Sequence, residues 1–333
     1  MVSLSQPVTL RDVYEARRIV SKHLPRTPLV RSSTLCKQLG FEAYVKCENL
    51  LPIGAFKVRG GLNLLSRLSE EERLKGVITA STGNHGQSIA YSASLFGVKA
   101  VVGVPKGANP IKVEAIKNLG AVVEFHGSDF DEARLWVEEE AKRKGYRYIH
   151  PANEPLLIAG VGTLYLEIME DLPDVEVIIV PIGGGSGAAA ACIVAKSINP
   201  KVKVFGVQAE GAPVVYLSWK NKKMVETASA ETFADGLATR VPFQLTLDII
   251  NPLIDDIVLV SDEQIKRAIL TLLETTHQLA EGAGAASTAA AFKLREKLQG
   301  KKVALVLTGG NLTLQTLQGI FKDFDMSKAN VRF

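Results

Sequence analysis

The chain has 333 residues, 47% of them hydrophobic and 22% charged, with 39 Lys and Arg against 35 Asp and Glu. That length exceeds one ordinary core and suits two domains, and the apolar share is ample for packed interiors, which excludes a mainly disordered chain. The net charge of +4 is interspersed, with no arginine-rich or polybasic arm, so it lends nucleic acid only weak support as a partner.

Near the start, Met1 to Arg11 mixes polar residues with Pro7 and lacks the apolar core of a secretion signal. No later apolar run approaches a membrane span. Cys36, Cys47 and Cys192 are odd in number, widely spaced and without a C-x-x-C pair, which suits a reducing compartment and neither disulfide framework nor zinc site. A cytoplasmic protein with no membrane partner is expected.

The first chemistry-bearing stretch is Pro52-Ile53-Gly54-Ala55-Phe56-Lys57-Val58-Arg59-Gly60-Gly61. Lys57 stands among apolar residues and glycines, where desolvation lowers an amine pKa and makes it nucleophilic. In isolation it reads as a solvated lysine at a helix start. A strand is predicted at 76–79, followed by Ser81-Thr82-Gly83-Asn84-His85-Gly86-Gln87-Ser88 leading into a helix. Ser, Thr, Gly and Asn at a helix start expose several donors to one point, which suits a carboxylate, although alone they read as ordinary capping. His85 alone reads as a structural histidine.

Further strands are predicted at 99–104 and 121–125, and an amphipathic helix over 129–144 capped by Ser128 or Asp129. The run at 175–180 leads into Val180-Pro181-Ile182-Gly183-Gly184-Gly185-Ser186-Gly187-Ala188 and an alanine-rich helix to about Ile198. Glycines let backbone N–H groups approach an anion and the helix N-terminus adds positive charge, but a tight β–α turn reads equally well. Gly183, Gly185 and Ala188 fall on dinucleotide spacing, yet Glu210, the candidate ribose-binding acid, lies in a turn after the next strand at 202–207. No Gly-Lys-Ser/Thr follows, so the triphosphate loop is excluded and a phosphate on a small cofactor fits best. A helix over 262–280 capped by Ser261 or Asp262, and a strand at 302–307 closing on Thr308-Gly309-Gly310-Asn311, complete the pattern. Continuous apolar runs alternating with helices predict parallel sheets buried on both faces, an α/β protein.

Gly54 to Gly60, Ser81 to Gly86, the glycine loop at 183–187 and Thr308 to Asn311, in that order, resemble the pyridoxal-phosphate enzymes of fold type II. Within them the sequence is most similar to the threonine/serine dehydratases, a group that includes serine racemase. Arg26-Thr27-Pro28-Leu29, Ile158 to Thr163, Ala234 to Ala238 and Glu281 to Ala286 agree, so the likeness runs from about Val8 to Leu317.

The resemblance implies a tryptophan synthase β-like fold and pyridoxal 5'-phosphate as cofactor. Lys57 would hold it as a Schiff base and move the substrate α-proton. Phe56 would pack near the ring, and Gly183, Gly184, Gly185, Ser186 and Gly187 would hold the phosphate. Asn84 would meet the ring hydroxyl, Thr308 the pyridine nitrogen, and Gly236 and Glu281 the ring's surroundings. Ser81, Thr82, Asn84 and the backbone near His85 would receive the substrate. The activity implied is β-elimination of water from a β-hydroxy amino acid, giving a 2-oxo acid and ammonia. A hydroxyl at the ring nitrogen favours this over transamination, because the ring is then a weaker electron sink.

Departures from the family pattern narrow the reading. Ala55 replaces the usual Ser. Thr82 stands where serine racemase has its opposite-face serine base, and its methyl restricts the rotamer, which disfavours racemisation. Gln208 and Val214 stand where metal-activated members carry Glu and Asp, so no metal is expected; Glu210 points elsewhere. His150-Pro151-Ala152-Asn153-Glu154-Pro155 departs locally, and Asn153 receives no role. The alternatives are a serine racemase, a 3-hydroxyaspartate or hydroxyectoine-pathway dehydratase or β-replacement synthase on the same fold, a nicotinamide oxidoreductase, and a non-catalytic binding protein. The expected organisation is a large cofactor-binding domain from 1–75 and 153–333 and a small substrate-closing domain from 76–152, with the cofactor between them, in a homodimer. Few residues follow the last motif, so no regulatory domain is expected.

Overall fold

The computed structural model describes residues 8–128 and 130–324. In chain order the strands among them are β1 (Leu29–Arg31), β2 (Glu42–Cys47), β3 (Val77–Ala80), β4 (Ala100–Val104), β5 (Val122–Phe125), β6 (Arg147–Tyr148), β7 (Val177–Pro181), β8 (Lys203–Ala209), β9 (Asp256–Val260) and β10 (Lys302–Leu307). They form two sheets, ordered β5-β4-β3-β6 and β1-β2-β10-β7-β8-β9. Every pairing is parallel except β1 with β2. The chain divides into two compact units, Met1–Pro25 with Lys57–Thr163, and Arg26–Phe56 with Leu164–Phe333. The expected boundaries fell instead after residues 75 and 152, with Lys57 in the larger part.

In the first unit the four-stranded sheet buries β3 and β4 completely, which is why both are mainly Val, Ile and Ala, interrupted only by Thr79 and Gly103. β5 is the edge strand, and Val122 and Phe125 are exposed there, so the expectation that this run is buried on both faces does not hold. Helix Phe130–Lys144 matches the 129–144 pattern; the proposed cap at Asp129 lies outside the described residues.

In the second unit helices Ser186–Ile198 and Gly282–Lys293 carry their buried residues on every side. Runs of alanine and glycine make that possible, since a helix enclosed all round must leave its neighbours room. Ser261 caps helix Asp262–Thr276 with a capping box. That helix stops four residues short of the expected end because His277 turns left-handed at φ 58 and redirects the chain. β1, β2 and β9 are strands that the sequence pattern does not predict; β1 and β2 mix polar with apolar residues, whereas β9 is apolar after Asp256.

Polar burial in this unit centres on Lys46, fully buried on β2. Its Nζ donates to Glu167 Oε2 at 2.6 Å and to the Thr27 carbonyl at 2.8 Å. Thr27 Oγ1 donates to buried Glu48 at 2.6 Å, and Arg26 pairs with Glu170 and Asp171 at 2.6 and 2.5 Å. The Arg26-Thr27 motif thus anchors β1 and β2 to the helix that carries Glu167. Removing one partner of such a pair strands a buried charge. Lys46→Ala is expected to lower unfolding stability by about 3–5 kcal/mol in denaturant titration, whereas Lys46→Met with Glu167→Met should recover most of the loss.

Candidate active site

Parallel α/β sheets gather functional loops beyond the carboxyl ends of their strands. Within the second unit several such segments meet. The loop Gly183–Gly187 follows β7, and the strained turn is fixed by Gly185 at φ 94, where an L side chain would be unfavourable. A Cβ at Gly183 would overlap the carbonyl oxygen of Gly236, which sits in the short 3-10 turn Asp235–Leu237. Gly236 in turn lies against Ala283, one residue into the helix that starts after Glu281. Glu281 N donates to Gly309 O at 3.0 Å, and Gly309 bridges antiparallel to Ala55. Phe56 N donates to Thr308 O at 2.9 Å and Gly310 N to Gly54 O at 2.9 Å. The ring edge of Phe56 comes within 3.7 Å of where a Cβ on Gly187 would stand. Phe56, Gly183 to Gly187, Gly236, Glu281 and Thr308 are therefore brought together.

The first unit gathers the others. Lys57 opens helix Lys57–Leu65, and β3 ends at Ala80 immediately before Ser81. Ser81 is buried, its Oγ accepting from Gly83 N at 3.2 Å; Thr82 is partly exposed in the bend; Asn84 opens helix Asn84–Leu95. His85 is buried, with Nε2 3.0 Å from Thr79 Oγ1. Because Thr79 Oγ1 donates its proton to Ile149 O at 2.8 Å, it must accept from His85, which fixes the Nε2–H tautomer. His150 Nδ1 accepts from Ala152 N and Asn153 N at 3.0 and 2.9 Å, so that ring too carries its proton on Nε2 when neutral.

The electrostatics follow from burial. Desolvation lowers the Lys57 ammonium from 10.5 to about 8. Desolvation, and then the charge of Lys57, lower His85 to about 3; desolvation chiefly lowers His150 to about 4. The amine is thus about one-tenth deprotonated at pH 7, far more than an ordinary lysine, and the two imidazoles stay neutral there. Neither His150 nor Thr79 was singled out from the sequence as functional; their signal was only the His150-Pro151 stretch that departs from the family pattern.

Thr9, Ser32, Ser69, Asn109, Ser261 and Thr313 each cap a helix through a side chain, whereas the N-caps Gly83, Gly185, Pro213, Phe243 and Glu281 make no side-chain cap bond; of these, Gly83 and Gly185 lie in the two segments described above. Uncapped first-turn N–H groups are ready donors for an anion.

A model of the family described as pyridoxal-phosphate dependent enzyme matches residues 20–309. The chain belongs to this family. Among curated relatives, L-threonine ammonia-lyase of Thermotoga maritima is 43% identical over 94% of this chain and 78% of its own length. The catabolic L-threonine dehydratase TdcB of Escherichia coli K12 is 37% identical over 96% and 98%. Processed threonine deaminase isoform 2 of Solanum lycopersicum superposes with TM-score 0.90 at 32% identity, covering 94% of this chain and 91% of that one. Maize serine racemase gives TM-score 0.90 at 31% identity, covering 95% and 98%. This pyridoxal-phosphate enzyme therefore lies in the threonine/serine dehydratase family, with its type II fold.

The residues present fit the cofactor. In the second unit the glycine loop offers a helix N-terminus without a side-chain cap and leaves no room for a side chain at Gly183; in the first unit Lys57 is an amine lowered by desolvation. Gln208, by contrast, is fully buried with its amide committed: Oε1 accepts from Tyr216 N at 2.8 Å and Nε2 donates to Ile182 O at 3.4 Å. Glu210 is exposed and faces Lys293 at 3.5 Å.

Two outcomes test this arrangement. Gly183→Ala should fold but lose cofactor absorbance on gel filtration, since its methyl displaces the Gly236 carbonyl. Both histidines bind protons less readily folded than unfolded, so stability should fall as pH drops from about 6.5 towards 4, with a slope of up to about 1.4 kcal/mol per pH unit for each. Denaturant midpoints across that range check it, and His150→Asn should flatten the profile.

Proposed function

We propose that the protein is a threonine/serine dehydratase, converting L-threonine to 2-oxobutanoate and ammonia and L-serine to pyruvate and ammonia. The observation that carries this reading is the poised amine of Lys57, lowered to about 8 by burial, next to a phenylalanine hydrogen-bonded to Thr308 in a family of pyridoxal-phosphate enzymes. The relatives named above for threonine add support.

Lys57 would hold the cofactor covalently through its amine. The N–H groups of Gly183, Gly184, Gly185, Ser186 and Gly187 would hold its phosphate, with Asn84 on the ring hydroxyl, Thr308 on the ring nitrogen, and Phe56, Gly236 and Glu281 about the ring. When bound, pyridoxal phosphate delocalises the electron pair left on the substrate α-carbon. Lys57 takes the α-proton: with a pKa near 8 it is basic enough to accept it and neutral often enough to be free for it. Ser81, Asn84 and the first N–H groups of helix Asn84–Leu95 orient the substrate carboxylate. Neutral His85 leaves that anion's charge to the N–H dipoles and holds the turn through Thr79. Thr82 borders the same turn; its hydroxyl is the group a racemase reading would use for the opposite face, and its stiff side chain makes water elimination the favoured outcome. The reading includes a homodimer, and a reducing cytoplasm with which three free cysteines are in keeping; no helix among the described residues is long and apolar enough to cross a membrane.

Release of 2-oxo acid from L-threonine, L-serine and threo-3-hydroxyaspartate, with and without chelator, tests the reading. Chelator-insensitive product from threonine and serine is expected, and Lys57→Ala should lower turnover by at least about a thousandfold. D-serine formation exceeding pyruvate formation would favour the racemase instead. Sedimentation velocity checks the dimer.

A further inference from the structure

Ser88 lies one turn beyond His85 on helix Asn84–Leu95 and is fully buried. A serine inside a helix ordinarily returns its proton to a carbonyl on its own preceding turn. Ser218 does so here, donating to Val214 O at 2.8 Å. Ser88 instead donates to the carbonyl oxygen of Lys57, 31 positions earlier in the chain, at 2.7 Å. The two helices approach closely enough for this because residue 61 is glycine. A Cβ there would overlap Ser88 Oγ and come within 2.7 Å of Ser92 Oγ.

The bond is not needed to satisfy a stranded group. At a helix start the orphan groups are N–H donors, and the first carbonyls already have intrahelical partners. A second, short bond to this carbonyl fixes the peptide plane that follows the Lys57 Cα, and with it the direction of the Cα–Cβ bond. Ser92 provides an internal contrast: it lies one turn further along the same face and packs against the same glycine. Its buried hydroxyl has no hydrogen-bond partner among the described residues.

We propose that Ser88 is a positioning residue for the reactive lysine: its hydroxyl aims the Lys57 amine at the carbonyl carbon it must capture. This rests on the dehydratase reading only in assigning the covalent role to Lys57. A hydrogen bond that orients rather than binds shows itself in the rate of covalent capture and less in the phosphate-dependent affinity.

The test compares Ser88→Ala with Ser92→Ala in the full-length protein stripped of cofactor and given pyridoxal phosphate. Stopped-flow visible absorbance follows covalent capture, and fluorescence quenching follows the preceding non-covalent binding. Ser88→Ala is expected to slow capture about five- to tenfold with non-covalent binding little changed, the scale of one buried hydrogen bond. Ser92→Ala should match the parent, and Ser88→Thr, which keeps the hydroxyl, should recover at least part of the rate. Equal slowing in both alanine variants would reduce Ser88 to packing, and unchanged capture in Ser88→Ala would show the bond to be idle; either overturns the proposal. Failure of the dehydratase reading looks different: the parent protein and Lys57→Ala would show the same absorbance, with no capture at Lys57.

Discussion

The short antiparallel splice of Gly54–Phe56 onto Thr308–Gly310 is the constraint on which the second unit's functional arrangement depends. Three backbone contacts hold it: Phe56 N to Thr308 O, the Ala55–Gly309 bridge, and Gly310 N to Gly54 O. Thr308 follows directly on β10, which lies between β2 and β7 in the centre of the six-stranded sheet. The splice thereby transmits the rigidity of a central strand to the residue that precedes Lys57 in the chain. Backbone pairing suits this task, because it fixes position without a side chain that would fill the space a ring must occupy. Glycine at 309 and alanine at 55 keep the approach close.

In the first unit the electrostatics are set chiefly by withholding water: burial lowers the pKa of Lys57 and, with the charge of Lys57 as a second cause, that of His85. The charges that are paired in the interior, Lys46 with Glu167, serve architecture instead and belong to the anchoring of β1 and β2. Gln208, uncharged and hydrogen-bonded to backbone on both sides, ties Ile182 at the root of the glycine loop with an amide.

Much of this was legible from residue order. The 302–307 strand, the helix from 186 to Ile198 and the Ser261 cap appear where periodicity and capping chemistry put them. The named site residues of each unit cluster within that unit. β2 escaped notice because Glu42-Ala-Tyr-Val-Lys-Cys interrupts its apolar face with a lysine. Only a partner 121 positions away makes that lysine a core residue. The end of helix Asp262–Thr276 was hidden because His277, not glycine or asparagine, takes the left-handed turn. β5 read as a buried strand since its valines say nothing of being last in a sheet. Ser88 carries no local signal at all: its meaning lies in which helix crosses it, and only coordinates supply that.

The helices Asn84–Leu95 and Ser186–Ile198, whose N-caps Gly83 and Gly185 lend no side-chain hydrogen bond, take part in the proposed site, and that has a consequence beyond binding. A ligand bound only by the folded chain adds its mass-action free energy to folding. Pyridoxal phosphate held by the folded chain therefore draws the folding equilibrium towards the native state, by about 2.7 kcal/mol at a hundredfold excess over its dissociation constant.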